Sequence, residues 1–107
     1  MAHDNGLAAI LRGALQDQDT QERRMFGGLC FMVRGHMLCG VERGNLVFRV
    51  GRQQHQHALS LPGARPMDFT GRPLAGFVYV DPDACSEASI ADWISIALEF
   101  NESLPEK

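Results

Sequence analysis

The chain has 107 residues, 45% of them hydrophobic and 21% charged, with a formal net charge of −3. That length suits a single domain, residues 1–107, with a modest core, and the apolar fraction is too high for a disordered chain. No run approaches the roughly 18 apolar residues of a membrane span, and no basic stretch precedes an apolar block at the start, so no secretory signal is read and a cytoplasmic location is expected.

Residues 5–17 are predicted as a helix. Leu7, Ile10, Leu11, Ala14 and Leu15 recur at helical spacing along one stripe, and Asp4 or Asn5 can cap the start. Residues 18–22 read as a polar connection. Three strands follow between 24 and 50: Leu29–Val33, His36–Val41 and Leu46–Val50, joined by tight turns at Arg34-Gly35 and at Glu42-Arg43-Gly44-Asn45. Residues 51–61 read as a short, mostly exposed helix stopped by Pro62-Gly63. Residues 64–69 suit an edge strand, because Pro66 cannot donate to a ladder. Thr70-Gly71-Arg72-Pro73 reads as a turn and Gly76–Val80 as a strong strand. A last helix is predicted over 87–101, with Ile90, Trp93, Ile94, Ala97 and Leu98 on one face and Ser86 or Ser89 as its cap. The tail after Ser103 is expected to fray. The predicted fold is thus α+β: a five-stranded antiparallel sheet with three helices on one side, in the order α-β-β-β-α-β-β-α.

Two strands do not fit a sheet with one wet side. Leu29–Val33 and Phe77–Val80 are apolar at successive positions, where a half-exposed strand should alternate. Something is expected to cover the outward side: a second copy of the chain, another protein or an apolar ligand. A homodimer is the preferred reading; a curled sheet shielded by long Arg stems and loops is the other.

Charge is segregated. From Arg23 to Arg72 eight arginines face two acids, a net charge of +6, while the flanks carry −3 and −6. The preferred reading is internal, with acidic helices pairing to a basic sheet. The sharper reading is a patch for anions or nucleic acid. Both amphipathic helices are too acidic for a major groove, and the strand aromatics sit where a core needs them. Direct nucleic-acid binding is therefore the weaker option.

Three cysteines without a Cys-x-x-Cys pair argue against a disulfide framework or a zinc ribbon. With a two-residue turn at Arg34-Gly35, Cys30 would face Cys39, and Cys30, Met32, Met37 and Cys39 would line one side. They read as adaptable core filler, with a redox-sensitive Cys30–Cys39 pair as the alternative. Cys85, near the start of the last helix, could have a lowered pKa. His55 and His57 are two apart and read as exposed polar groups, so no metal site and no cofactor is expected. No nucleophile elbow, phosphate loop, metalloprotease helix or dinucleotide fingerprint occurs, and a non-enzymatic chain is expected.

Several segments taken together carry a family resemblance. They are Arg24-Met25-Phe26-Gly27-Gly28, the apolar strand to Val33, Gly35, Leu46-Val47-Phe48-Arg49-Val50, Gly63-Ala64-Arg65-Pro66-Met67, Phe77-Val78-Tyr79-Val80-Asp81-Pro82 and Trp93. In this order and spacing the chain resembles the N-terminal domain of the TfoX/Sxy family, named for regulators of natural competence. The resemblance implies an α+β fold like that of secretion-chaperone-type domains. It also implies a non-enzymatic role in transcription regulation through protein contacts, as co-activators working with a cyclic-AMP receptor protein. Such regulators usually carry a second, C-terminal domain; a stand-alone copy is expected to keep the binding half of that role. The family offers no established catalytic residues. Gly27-Gly28 are expected to allow a bulge or close backbone approach, and Met25 and Phe26 to fill the core or dock a partner. The candidate binding residues are Arg24, Met25, Phe26, Gly27, Gly28 and Arg49. The alternative function is a domain that senses a small ligand on its apolar, arginine-rich sheet face.

Overall fold

The computed structural model describes residues 2–25, 28–69 and 72–105. The chain runs α1 (Ala2–Ala14), β1 (Thr20–Met25), β2 (Gly28–Val33), β3 (His36–Glu42), β4 (Asn45–Arg49), α2 (His55–Leu59), β5 (Ala64–Phe69), β6 (Arg72–Val80), a 3₁₀ turn (Pro82–Ala84) and α3 (Glu87–Ser103). The strands form one antiparallel sheet in the order β1-β2-β3-β4-β6-β5. The fold is α+β with three helices, as expected, but the sheet has six strands rather than five.

The extra strand is β1, which overlaps the predicted polar connection. It pairs with the whole of β2, from Thr20 opposite Val33 to Met25 opposite Gly28. Residues 21–24 are exposed. An edge strand takes its stability from backbone bonds to one neighbour, so Gln-Glu-Arg-Arg can serve, and charge there discourages pairing with other chains. Arg12 reaches across from α1 to clasp Glu22 through two bonds of 2.6 and 2.8 Å; the pair lies in water and contributes little.

Several boundaries move. α1 starts at Ala2, so Asp4 and Asn5 lie inside it rather than capping it, and β6 starts at Arg72, where a turn was expected. Thr70 and Gly71 of that turn lie outside the described residues. At α3 the Ser86 hydroxyl accepts the Ser89 amide at 3.2 Å, a helix cap. The tail does not simply fray: His36 Nε2 lies 2.7 Å from the Pro105 carbonyl oxygen.

The main core lies between the sheet and the helices. Leu7, Leu11 and Leu15 come from the α1 end, Ala58 from α2, and Ile90, Trp93, Ile94 and Ala97 from α3, against Phe31, Leu38, Val41, Leu46, Phe48, Val78 and Val80 of the sheet. Trp93 stacks on Phe48 with ring centroids 5.3 Å apart, fixing α3 against the centre of the sheet. Ile10, placed on the buried stripe by its spacing, is instead 48% exposed.

The outward side is covered within the single chain. Cys30, Met32, Met37, Val47 and Met67 form a second buried cluster, with Leu74, Phe77 and Tyr79 packed against it. Bulges between Phe31 and Met32 and between Pro66 and Asp68 add twist, and the guanidinium groups of Arg49 and Arg65 lie over the Phe77 and Tyr79 rings. The curled sheet shielded by long Arg stems, the other reading of these strands, accounts for this burial within one chain. Met67, 1% exposed on the edge strand, closes that cluster. Met67→Ala is expected to lower unfolding free energy by about 2–5 kcal/mol in urea titration. Its sedimentation coefficient should match the wild type, because the cluster is internal; a change of oligomeric state on this substitution would contradict it.

Candidate functional site

The local chemistry is richest where β4 ends. Past Arg49 the ladder bulges: the amides of both Val50 and Gly51 donate to the Gly76 carbonyl, at 2.7 and 3.1 Å. Gly51 adopts φ +83, and a Cβ there would lie 2.3 Å from the Phe100 ring. Glycine is required at 51 on both counts, and it lets Phe100 of α3 close on the backbone. The Arg49 guanidinium carbon then stands 5.4 Å from the Phe77 ring centroid and 5.3 Å from that of Phe100. Among the described residues the Arg49 side chain forms no ion pair and donates no hydrogen bond. It borders a cleft of about 700 Å³, shared with Gly51, Arg52, Gln53, Phe77 and Phe100 and also lined by Glu99. A half-buried arginine stacked on aromatic rings with its N–H donors uncommitted can hold an oxyanion.

The other candidate binding residues do not join this cleft. Arg24 is exposed on β1, with β2 and β3 between it and β4. Gly28 has the expected close approach, since a Cβ there would collide with the Val41 carbonyl oxygen, so its bare backbone lets β2 lie tight against β3. Met25 ends β1; Phe26 and Gly27 lie outside the described residues. Phe100, which completes the Arg49 site, was not singled out from the sequence, because nothing in helical spacing reveals that a strand bulge will meet it.

The hairpin register corrects the cysteine reading. Arg34-Gly35 is a two-residue turn with φ 58 and 84, and Val33–His36 and Met32–Met37 pair as expected. The bulge then puts Phe31 opposite Cys39 and Cys30 opposite Gly40. Cys39 turns into the helix-side core while Cys30 stays in the outward cluster. The two thiols are not a facing pair, and the four-sulfur side loses Cys39.

Arg34 bears a left-handed conformation that costs a non-glycine residue about 1–2 kcal/mol. Its Nη1 donates to the Asn101 carbonyl at 2.9 Å, and buried Asn101 Nδ2 donates to the Val33 carbonyl at 3.0 Å, clamping the end of α3 to the hairpin. On the other side, the Tyr79 hydroxyl donates to Glu42 Oε1 at 2.6 Å, and Glu42 is buried. Neither Asn101 nor Glu42 was legible as a buried polar group from the sequence. Among the described residues no three His, Cys, Asp or Glu side chains gather as a metal-binding group, and no helix is long and apolar enough to cross a membrane.

A second concavity, of about 790 Å³, runs between α1 and α3, where Ile10, Gly13, Ile90, Ala91 and Ile94 line it beside Glu87. The four acids of α3, Glu87, Asp92, Glu99 and Glu102, are exposed, and the helix has no Lys or Arg. The expected pairing of acidic helices with the basic sheet does not hold: Arg12–Glu22 is the one ion pair among the described residues. Arg49 and Arg65 instead lie over aromatic rings, and Arg65 also bonds to neutral Asn45.

Burial pushes the Cys30 thiol up to about 11, with a contribution from Glu42, and pushes Cys39 further still. Burial and then Asp81 raise Cys85 as well, correcting the lowered value expected of a helix-start cysteine; its Sγ faces the Asp81 carbonyl at 3.6 Å. Burial and the bond to Glu42 lift Tyr79 to about 12. These groups are held neutral by the fold, so the stability they contribute is present at neutral pH and is lost as pH rises toward 11 and 12. Urea midpoints should accordingly fall at strongly alkaline pH, and thiol titration should count three free thiols after denaturation, with Cys39 unreactive in the native protein. Rapid native labelling of Cys39 would contradict the packing described.

No curated protein and no solved structure matches the chain. The TfoX N-terminal domain family matches it over residues 11–101, a span running from α1 to the clamp residue Asn101. With most of its length so matched and the α+β architecture in place, the chain belongs to the TfoX N-terminal domain family.

Proposed function

We propose that this chain is a non-catalytic binding module of the cytoplasm that acts through protein–protein contacts in transcription regulation, in the manner of competence regulators. Family membership supports the regulatory role. The observation that carries the contact is the α1–α3 surface: an apolar groove lined by the 48% exposed Ile10, with Glu87 beside it, an acid that finds no ion-pair partner among the described residues. Its occupant is a protein surface with an apolar centre and a basic rim, since opposite charge at a rim steers association and apolar area at the centre holds it. The competence partner class, a cyclic-AMP receptor protein type of regulator, is the family's version of that role.

A second reading has its own support. The uncommitted Arg49 beside two aromatic rings favours a domain that holds a small ligand, with binding there altering the module's contacts.

The test compares source cells lacking the chain with cells complemented by wild type or by Ile10→Asp. Wild type should restore the transcript profile and capture a defined partner in a salt-sensitive way. Ile10→Asp, on an exposed position, should keep the wild-type melting temperature within a few degrees but lose both. An unchanged transcript profile on deletion, or full activity of Ile10→Asp, would sink the proposal.

A further inference from the structure

We propose that the cleft at the β4–β6 bulge is a binding site for a small monocarboxylate with an apolar or aromatic body, gripped by Arg49. The inference rests on the ligand-holding reading above and names its site and chemistry. Arg49 is half-buried and lies over Phe77 and Phe100, which restrict the side chain and cover part of its π-surface. The remaining donors lie around the rim of a planar group, and the chain supplies no acceptor for them among the described residues. A forked pair of N–H groups matches the two oxygens of a carboxylate. The cleft, about 700 Å³, is within the range of small-molecule sites.

The lining selects further. Arg49 and Arg52 bring two positive charges, and Glu99 brings one negative charge that pairs with neither. A net charge of one favours a monoanion over a phosphate dianion. The half-buried Phe77 and Phe100 in the lining offer an apolar body its contact, which a bare inorganic ion cannot use. The close seat of Phe100 on Gly51 holds that wall in place before a ligand arrives, so little ordering is required on binding.

The probe is 3-phenylpropionate, followed through the backbone amide resonances of Gly51 and Gly76. Saturable shifts at both are expected. The neutral isostere 3-phenylpropionamide should bind about tenfold or more weakly, because it offers no charge-assisted fork. Inorganic phosphate should also be weaker. Arg49→Gln should abolish the carboxylate shifts while its spectrum stays dispersed. Should that variant not fold, Arg49→Lys keeps the charge without the fork and should bind several-fold more weakly. Equal binding of acid and amide, equal binding by a folded Arg49 variant, phosphate as good as the carboxylate, or no shift in the low millimolar range would each overturn the assignment. Native mass spectrometry of freshly purified wild type and Arg49→Gln separates the two levels. A small molecule retained by both keeps the ligand reading and removes this site; no ligand in either, with no titration shift, removes both.

Discussion

Two amides converging on one carbonyl, Val50 and Gly51 on Gly76, govern how the two layers of this domain meet. The doubled contact ends the regular β4–β6 ladder and turns the chain out toward α2. It works because Gly51 has neither a side chain to obstruct Phe100 nor a penalty for its positive φ. α3 is seated by two contacts along its length, the Trp93–Phe48 stack and Phe100 against Gly51. The Arg34–Asn101 clamp then fixes its far end. The Arg49 cleft is a by-product of that seating, since one of its two rings belongs to the sheet and the other to the helix.

Charge in this protein is organised for the outside rather than for internal pairing. Arg49 and Arg65 of the sheet lie over aromatic rings, Arg65 bonds to neutral Asn45, and the acids of α3 stand in water. Internal pairing of the helices with the sheet would add little, because exposed ion pairs are screened and cost side-chain freedom. The two signs meet without pairing in the Arg49 cleft, where Glu99 shares the lining with Arg49 and Arg52. An apolar groove edged by Glu87 and an arginine in an aromatic cleft are the two surfaces on which the proposed protein contact and the proposed small-anion site rest. Both are joined through α3, which lines the groove with Ile90 and Ile94 and the cleft with Phe100. That shared helix is the physical route by which a ligand could alter a protein contact.

Periodicity made α3, the β2–β3–β4 meander, the β5 edge with Pro66 and the short α2 legible in advance. In each the apolar spacing matches the repeat of the element, and Gly or Pro marks the ends. It failed at β1, whose Gln-Glu-Arg-Arg carries no apolar signal because its stability comes from backbone bonds to β2. It failed again at Cys39, where one extra residue in β3 sends the thiol to the other side of the sheet. A bulge has no compositional mark of its own here, and every register argument beyond it is displaced by one.

The residues themselves determined that the chain would be a mixed α+β domain of a recognisable family, with a greasy sheet and an uneven charge pattern, because spacing and composition act locally along the chain. Only the tertiary structure decided that the greasy outward side would close on itself, that Ile10 would stand in water, and that Arg49 would lie between strand and helix beside Phe77 and Phe100. Those outcomes depend on bulges and on contacts between distant segments, and the free energy of such contacts is set by three-dimensional packing that no local pattern encodes.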